Sequence, residues 1–361
     1  MSDERDTYRF IVQKVMQRGL VSILTPCYNM EACVHRLLDS VLEQTYCAIE
    51  MWVVDDGSTD GTADVVRSYQ DRFEKRGFDL HYVHQENQGQ SVAIKNGLRL
   101  VRGEFMTWPD ADDFYSSPDA IAKMVKALQI ATSDVAMARV RETVVGEDAA
   151  TVYWVFGKDA GGKERPQLFE DCLYVRNNFY YAPGGYMVRM SALNECLGDS
   201  YDIYTEKKAG QNWQLMLPIL YKYRCVTIPE TLFSVVYRMQ SHSRGGTADY
   251  EISARRLHSY ETTIQATLDR MKMDTEEKRY YKREVRLQYV MKNLFLAYQC
   301  GERRAYMAHF HKLSGISGRV GLADGLMCFV VATGLFQSAW IRKEFRRVYR
   351  RLNHAYAEDF R

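Results

Sequence analysis

Two acidic clusters hold the residues most able to do chemistry. MWVVDDGSTDGT (Met51 to Thr62) and TWPDADDF (Thr107 to Phe114) are each an apolar run that ends abruptly in carboxylates. Apolar runs of this length read as buried strands. Two of them in one parallel sheet bring their acidic ends to the same edge, where open α/β sheets bind ligands. Carboxylates there repel a diphosphate, but they can hold a divalent cation that binds one. Asp110 and Asp112 stand two apart, and alternate residues of an extended segment point to one side, so the two can converge on one ligand. Asp113 suits an acidic cap for the next helix. Asp55 and Asp56 are adjacent carboxylates, which repel each other unless a cation, a donor or a ligand hydroxyl satisfies them.

The elements that must position these groups follow from periodicity. A short amphipathic helix is predicted around Tyr8 to Val15. Strands are predicted at Val21–Thr25, Ile49–Asp55, Leu80–His84, Glu104–Trp108 and Asp134–Val140. Helices are predicted at Glu31–Gln44, from Thr59, at Ser91–Val101 and at Pro118–Ile130. Ser58 or Thr59 is the expected cap of the second helix, and Asp60 in its first turn is explained by capping and the helix dipole. Strand-helix units of this length predict a mostly parallel sheet with helices on both faces. After Arg141 the regularity weakens. A strand at Thr151–Phe156, a polar loop from Gly157 to Pro166, helices at Gln167–Val175 and Asn212–Tyr223, and strands at Cys225–Pro229 and Thr231–Arg238 are expected. Beyond Ala248 only helical patterns remain. The expected division is residues 1–246, with the nucleotide side over about 20–145 and the acceptor side over about 146–246, then a helical region over 247–361.

Composition narrows the class. The 361 residues carry a net charge of +2 and 46% hydrophobic residues, which is ordinary for a folded chain and gives no sign of nucleic-acid binding. Eight scattered cysteines without a C-x-x-C pair exclude zinc-site spacing and read as small core residues in a reducing compartment. The charged N-terminus lacks the apolar stretch of a secretory signal, so the cytoplasm is expected. Near the C-terminus, LMCFVVATGLF (Leu326 to Phe336) is too short to span a bilayer. It precedes the cluster Arg342, Lys343, Arg346, Arg347, Arg350 and Arg351. That pattern suits a peripheral protein on the anionic inner membrane face, or equally a core helix beside a solvated basic one.

Four motifs then occur in order: TPCYN (Thr25 to Asn29), VVDDGSTDGT (Val53 to Thr62), NQGQSVAIKNGL (Asn87 to Leu98) and GEFMTWPDADDF (Gly103 to Phe114). In order and spacing they resemble the family-2 glycosyltransferases, with the GT-A nucleotide-diphospho-sugar transferase fold, over about Leu20 to Arg244. The resemblance implies a nucleotide-sugar donor, of which UDP-sugars are the commonest class, and Mg²⁺ or Mn²⁺ as cofactor. It implies that Asp112 ligates the metal directly, that Asp110 faces the ribose or a metal-bound water, and that Asp56 contacts the nucleoside while Asp55 supports its loop. Pro26 ends the first strand and directs the chain across the sheet edge. Tyr28 then lies close to the base or is an ordinary packed aromatic. Gly89 permits close backbone approach at a helix start, which can attract anions. Lys95 stands where members of the family carry arginine and can meet a phosphate as a point charge.

An inverting transfer also needs a general base for the acceptor hydroxyl. Many relatives place it in an acidic pair ahead of a tryptophan-containing helix, but here that position reads AGQNWQLMLPILY (Ala209 to Tyr221). Gln211 and Asn212 are amides and cannot act as bases, although they can bind acceptor hydroxyls or orient a base. Glu206 is the nearest carboxylate and the candidate base. Trp213 and the cluster Phe179, Tyr180, Tyr181 and Tyr186 can stack on sugars or belong to the core. His242, flanked by Arg238 and Arg244 and followed by Gly245 and Gly246, suits a loop that closes over the diphosphate. The expectation is an inverting, metal-dependent transfer of a hexosyl or N-acetylhexosaminyl group to a saccharide or lipid-linked saccharide, in surface-polysaccharide assembly. A catalytically inactive binding protein of the same ancestry is the second reading. A nucleotidyltransferase is the third, disfavoured because TPCYNMEA has no glycine-rich basic phosphate loop.

Overall fold

The computed structural model of the chain describes residues 16–156, 168–177, 179–198, 200–207, 210–238 and 249–317. The expected N-terminal helix, the loop from Gly157 to Pro166, His242, Arg244 and the Gly245–Gly246 hinge lie outside the described residues, as does the apolar and basic tail.

The first half alternates strand and helix: β1 (Gln17–Cys27), α1 (Val34–Leu42), β2 (Ile49–Asp55), α2 (Thr62–Ser68), α3 (Gln70–Arg76), β3 (Asp79–His84), α4 (Gln90–Leu98) and β4 (Gly103–Thr107). Then come β5 (Phe114–Tyr115), α5 (Ala120–Ile130), β6 (Val135–Val145), β7 (Val152–Phe156), α6 (Phe169–Tyr174), β8 (Tyr186–Arg189) and α7 (Met190–Leu197). The chain continues through α8 (Asn212–Lys222), β9 (Arg224–Val236), α9 (Tyr250–Arg270), α10 (Thr275–Gln299) and α11 (Arg303–Ser317).

The sheet runs β3-β2-β1-β4-β8-β6-β9-β5, with β7 on β6. Its first four strands are parallel, and two of them, β2 and β4, lead into the acidic clusters. The sheet as a whole is mixed, because β8 pairs antiparallel with both β4 and β6, and β5 and β7 also pair antiparallel. Successive side chains of a strand face opposite ways. Val21 and Ile23 of β1 enter a core under α1, α3 and α5, whereas Leu24 enters the one under α4, α7 and α8.

Several boundaries differ from those expected. β1 runs one residue past Pro26, to Cys27. α2 begins at Thr62 behind Gly61 without a side-chain cap, because Ser58 Oγ instead accepts from Asn29 N at 2.9 Å. α5 starts at Ala120, so Pro118 lies ahead of its first turn. The two strands expected around Pro229 are one strand, β9. Its register against β6 shifts between Val140 and Arg141, where Ile228 and Thr231 are the partners. An irregularity of this kind is where a strand accommodates proline. α7 was not expected from the sequence.

The described residues after Asp249 form helices α9 to α11, and Asp249 caps α9 by accepting from Ile252 N at 3.0 Å. α9 and α10 share the main core, in which Ile264, Leu268, Val285 and Tyr289 are buried, whereas Tyr306 of α11 packs in a separate cluster with the end of α10. Polar ties add to the packing, with Gln288 Nε2 donating to Tyr174 O at 2.7 Å and Tyr221 Oη to Glu277 Oε2 at 2.5 Å. Among the described residues no helix is long and apolar enough to cross a membrane.

Candidate active site

The loops after β1 and β2 are bonded to each other. Asn29 Oδ1 accepts from Thr59 N at 2.9 Å, Glu31 Oε2 from Gly61 N at 2.9 Å, and Thr62 Oγ1 from Met30 N at 2.8 Å. Asp60 Oδ2 in turn accepts from Glu31 N at 3.1 Å, so this carboxylate ties the two loops together as well as serving Thr62 N. Asn29 adopts a left-handed φ of 52°, which asparagine tolerates better than most residues. Beside these loops Tyr28 is 41% exposed, so its ring is not a core aromatic.

Both carboxylates that end β2 are satisfied from within the protein. Asp55 accepts from Ser58 N at 2.8 Å and from Tyr82 Oη at 2.5 Å. Asp56 accepts from Gln85 Nε2 and Gly89 N at 2.7 Å and from Gln88 N at 2.9 Å, which fixes the loop ahead of α4. Gly89 has φ +99°, and a Cβ there would lie 2.6 Å from the backbone of Lys207. Asp56 therefore fixes the start of α4 where it packs against Lys207.

The three carboxylates of the second acidic cluster each have partners of their own. Asp110 Oδ1 accepts from Gln90 Nε2 at 2.7 Å and from Gln211 Nε2 at 3.0 Å. Desolvation, together with the charge of Asp112, pushes the Asp110 carboxyl up to about 7, against the pull of Gln211, Gln90 and Arg238. Asp112 pairs with Arg238, Nη2 to Oδ2 at 2.7 Å. Asp113 is buried and accepts from Val236 N at 2.9 Å, so it holds the end of β9 rather than capping α5. Burial and the charges of Asp112 and Asp110 hold its carboxyl well above the usual range. Behind it Glu142 is fully buried with neither oxygen hydrogen-bonded, and burial and Asp113 push it up in the same direction.

Among the described residues no group of three or more His, Cys, Asp or Glu side chains is placed to cage a metal. Asp110 and Asp112 present hard oxygens on one short segment, the donor type and number that Mg²⁺ or Mn²⁺ takes from protein when substrate phosphates and water complete its shell. The residues fit such a cation.

On the other side of the cleft the amides are already engaged. Gln211 is buried against Asp110. Asn212 accepts from Trp108 Nε1 at 3.4 Å and donates to Tyr181 O at 2.9 Å, so it joins α8 to the segment before β8. Trp213 Nε1 donates to Tyr181 Oη at 2.9 Å, and its ring meets Tyr181 and Tyr260 edge-on. Phe179, Tyr180 and Tyr186 are buried in the core, and Trp213 and Tyr181, half-buried, pack against it. Glu206 is exposed and accepts from Tyr204 Oη at 2.7 Å. Its backbone bonds to Ser91 Oγ at the start of α4, which brings this loop to the edge of the site. Lys95 lies 3.8 Å from Asp202, facing that loop. Gln90 and Glu142 were not singled out from the sequence. Gln90 directly follows Gly89 at a helix start, which could have marked it, whereas Glu142 sits in an unremarkable strand.

Residues 22–197 match the family described as Glycosyl transferase family 2. The chain is 32% identical over 117 residues to the glycosyltransferase GlyA of Streptococcus pneumoniae, a stretch covering 32% of this chain and 16% of that one. The chain spans less than half the length of the curated relatives it matches. In fold it is similar to S. aureus TarS 1-349 in complex with UDP-GlcNAc, with TM-score 0.53, 17% identity, and coverage of 82% of this chain and 81% of that one. It is also similar to the mannosyltransferase PcManGT from Pyrobaculum calidifontis in complex with GDP-Man and Mn2+, with TM-score 0.52, 18% identity, and coverage of 91% and 85%. The parallel run in which β2 and β4 lead into the acidic clusters, the antiparallel strand beside it and the family match over the same residues agree: residues 22–197 form a family-2 glycosyltransferase domain of GT-A fold.

Proposed function

We propose that the chain is an inverting, divalent-metal-dependent glycosyltransferase that moves a hexosyl or N-acetylhexosaminyl group from a nucleotide-diphosphate sugar to a saccharide or lipid-linked saccharide. The observation that carries this reading is the convergence of Asp110, Asp112, Gln90, Gln211 and Arg238 at the C-terminal edge of β4. A cation held by Asp110 and Asp112 would act as a Lewis acid toward the leaving diphosphate. The bonded loops after β1 and β2, with Pro26, Tyr28, Asp55 and Asp56, form the nucleoside side. A UDP-sugar is the proposed donor, in keeping with the UDP-GlcNAc named for TarS.

An inverting displacement needs one base beside the acceptor hydroxyl. Asp202 is engaged with Lys95 and Arg270, whereas Glu206 is exposed on the loop packed against α4, so we assign the base to Glu206. His242 and Arg244 are assigned to the diphosphate. Work on lipid-linked acceptors in surface-polysaccharide assembly places the enzyme in the cytoplasm, at the inner membrane face.

A second reading, a transferase-like protein that binds donor without turning it over, is favoured by the amides Gln211 and Asn212 where relatives carry acids. A screen of UDP- and GDP-sugars for Mn²⁺-dependent donor hydrolysis separates the two. Hydrolysis of one donor, lost in Asp112→Asn, supports the enzyme. Metal-dependent nucleotide binding with no hydrolysis of any donor sinks it.

A further inference from the structure

The chain just ahead of Arg238 is fixed at the acidic cluster by two backbone N–H groups. Tyr237 N donates to Val145 O at 2.7 Å, and Val236 N donates to Asp113 Oδ1 at 2.9 Å. The end of β9 and the Asp110–Asp113 segment therefore move as one. Among the described residues the head group has one charged partner, Asp112, at 2.7 Å. Among the described residues its other contacts are to sulfur, Nη1 to Cys33 Sγ at 3.8 Å and Nη2 to Met30 Sδ at 3.7 Å, and its buried Nε has no hydrogen-bond partner.

A guanidinium has five N–H donors, and sulfur is a weak acceptor. A buried donor without a partner is unfavourable, so this head group is short of acceptors. Phosphate oxygens match its planar fork. Asp112 meanwhile is the carboxylate assigned above to the cation. A divalent cation on Asp112 would lie within a few ångströms of the guanidinium, and like charges that close in a half-buried site repel strongly. A diphosphate beside both supplies the negative charge that removes the conflict.

We infer that Arg238 couples cation binding to diphosphate binding: it contends with the cation for Asp112 and yields that carboxylate when a diphosphate offers it better acceptors. This rests on the donor-site reading proposed above. Coupling of this kind is reciprocal, so nucleotide tightens cation binding by the same factor as cation tightens nucleotide binding.

The test is titration of the full chain with Mn²⁺, followed by the electron paramagnetic resonance signal of free Mn²⁺, with and without saturating UDP. In the unsubstituted protein UDP tightens Mn²⁺ binding by about tenfold or more, within the range usual for coupled sites. Arg238→Gln binds Mn²⁺ without UDP about 3- to 10-fold more tightly than the unsubstituted protein, and UDP then tightens binding by a correspondingly smaller factor, the part that direct phosphate ligation supplies. Arg238→Lys, which keeps the charge, retains the weak nucleotide-free affinity. Asp112→Asn is the control for the site: if it still binds Mn²⁺, the donor-site reading itself fails. If Asp112→Asn loses Mn²⁺ but Arg238→Gln binds it no more tightly than the unsubstituted protein, only the coupling is overturned. Equal Mn²⁺ affinity with and without UDP in the unsubstituted protein overturns it with no variant needed.

Discussion

The backbone N–H of Gly89 donates a 2.7 Å hydrogen bond to Asp56 Oδ2, fastening the start of α4 to the acidic end of β2. The bond needs a backbone that approaches closely, at a φ that L side chains rarely adopt, and a neighbour, Lys207, whose main chain fills the space a Cβ would take.

Gly89→Ala is therefore expected to lose about 1–3 kcal/mol of stability through backbone strain. The melting temperature should fall by roughly 2–4 °C per kcal/mol lost, as for domains of this size. Nucleotide affinity should fall with it, since the same displacement releases Asp56. Differential scanning calorimetry and UDP titration check both, and unchanged values in the two measurements reject the role given to Gly89.

Asp110 gives a pH dependence whose sign is fixed. Its carboxyl is raised from 3.8 to about 7, so the folded protein prefers it protonated. The stability it contributes is fully present below 3.8 and is lost as pH rises through about 7. Cation binding runs the other way, because ligation requires the deprotonated acid. Mn²⁺ affinity should weaken by up to about tenfold per pH unit below that midpoint. Gln90→Leu, which removes a donor that lowers this pKa, should move the midpoint upward; an unmoved midpoint would count against Asp110 as the titrating group.

Asn212→Asp tests whether the missing acid can be restored by sequence analogy. Asn212 donates to Tyr181 O through Nδ2, and an aspartate would place an oxygen against that carbonyl. The change should destabilise the protein by about 1–3 kcal/mol, the penalty for a buried polar group without its partner. Turnover should not rise. A faster enzyme of undiminished melting temperature would show that Asn212 occupies a live base position.

Glu206→Gln keeps the shape of the side chain and its bond from Tyr204 but removes the proton acceptor. Turnover should drop by about 10²–10⁴-fold, the usual contribution of a general base. Donor affinity and melting temperature should stay close to those of the unsubstituted protein. Full activity in Glu206→Gln would send the search to another carboxylate.

Where the chain was legible, the reason is one-dimensional pattern. Ile49–Asp55 is a strand whose two faces are both buried, so an apolar run and its acidic stop mark it from end to end. The four parallel strands were readable for the same reason. What could not be read depends on partners far along the chain. Ser58 looks like a helix cap until Asn29 is seen to hold its hydroxyl, and Pro229 looks like a strand break until a register shift against β6 absorbs it. Asp113 resembles a helix cap in sequence, yet its partner is Val236, 123 residues away. The acceptor half was least legible because its amides and aromatics carry no charge pattern, and their roles appear only when Trp108, Tyr181 and Asn212 meet.

The docking of α9 and α10 has a consequence for how the molecule melts. Val285, Tyr289 and Leu268 complete the same apolar interior that seats α4, α7 and α8, so neither portion is a closed body without the other. Heat should therefore dissolve both in a single cooperative transition, with calorimetric and van't Hoff enthalpies in agreement. A catalytic fragment cut ahead of Asp249 would present a bare greasy wall to solvent. Its tendency to clump would say nothing about the chemistry at Asp112.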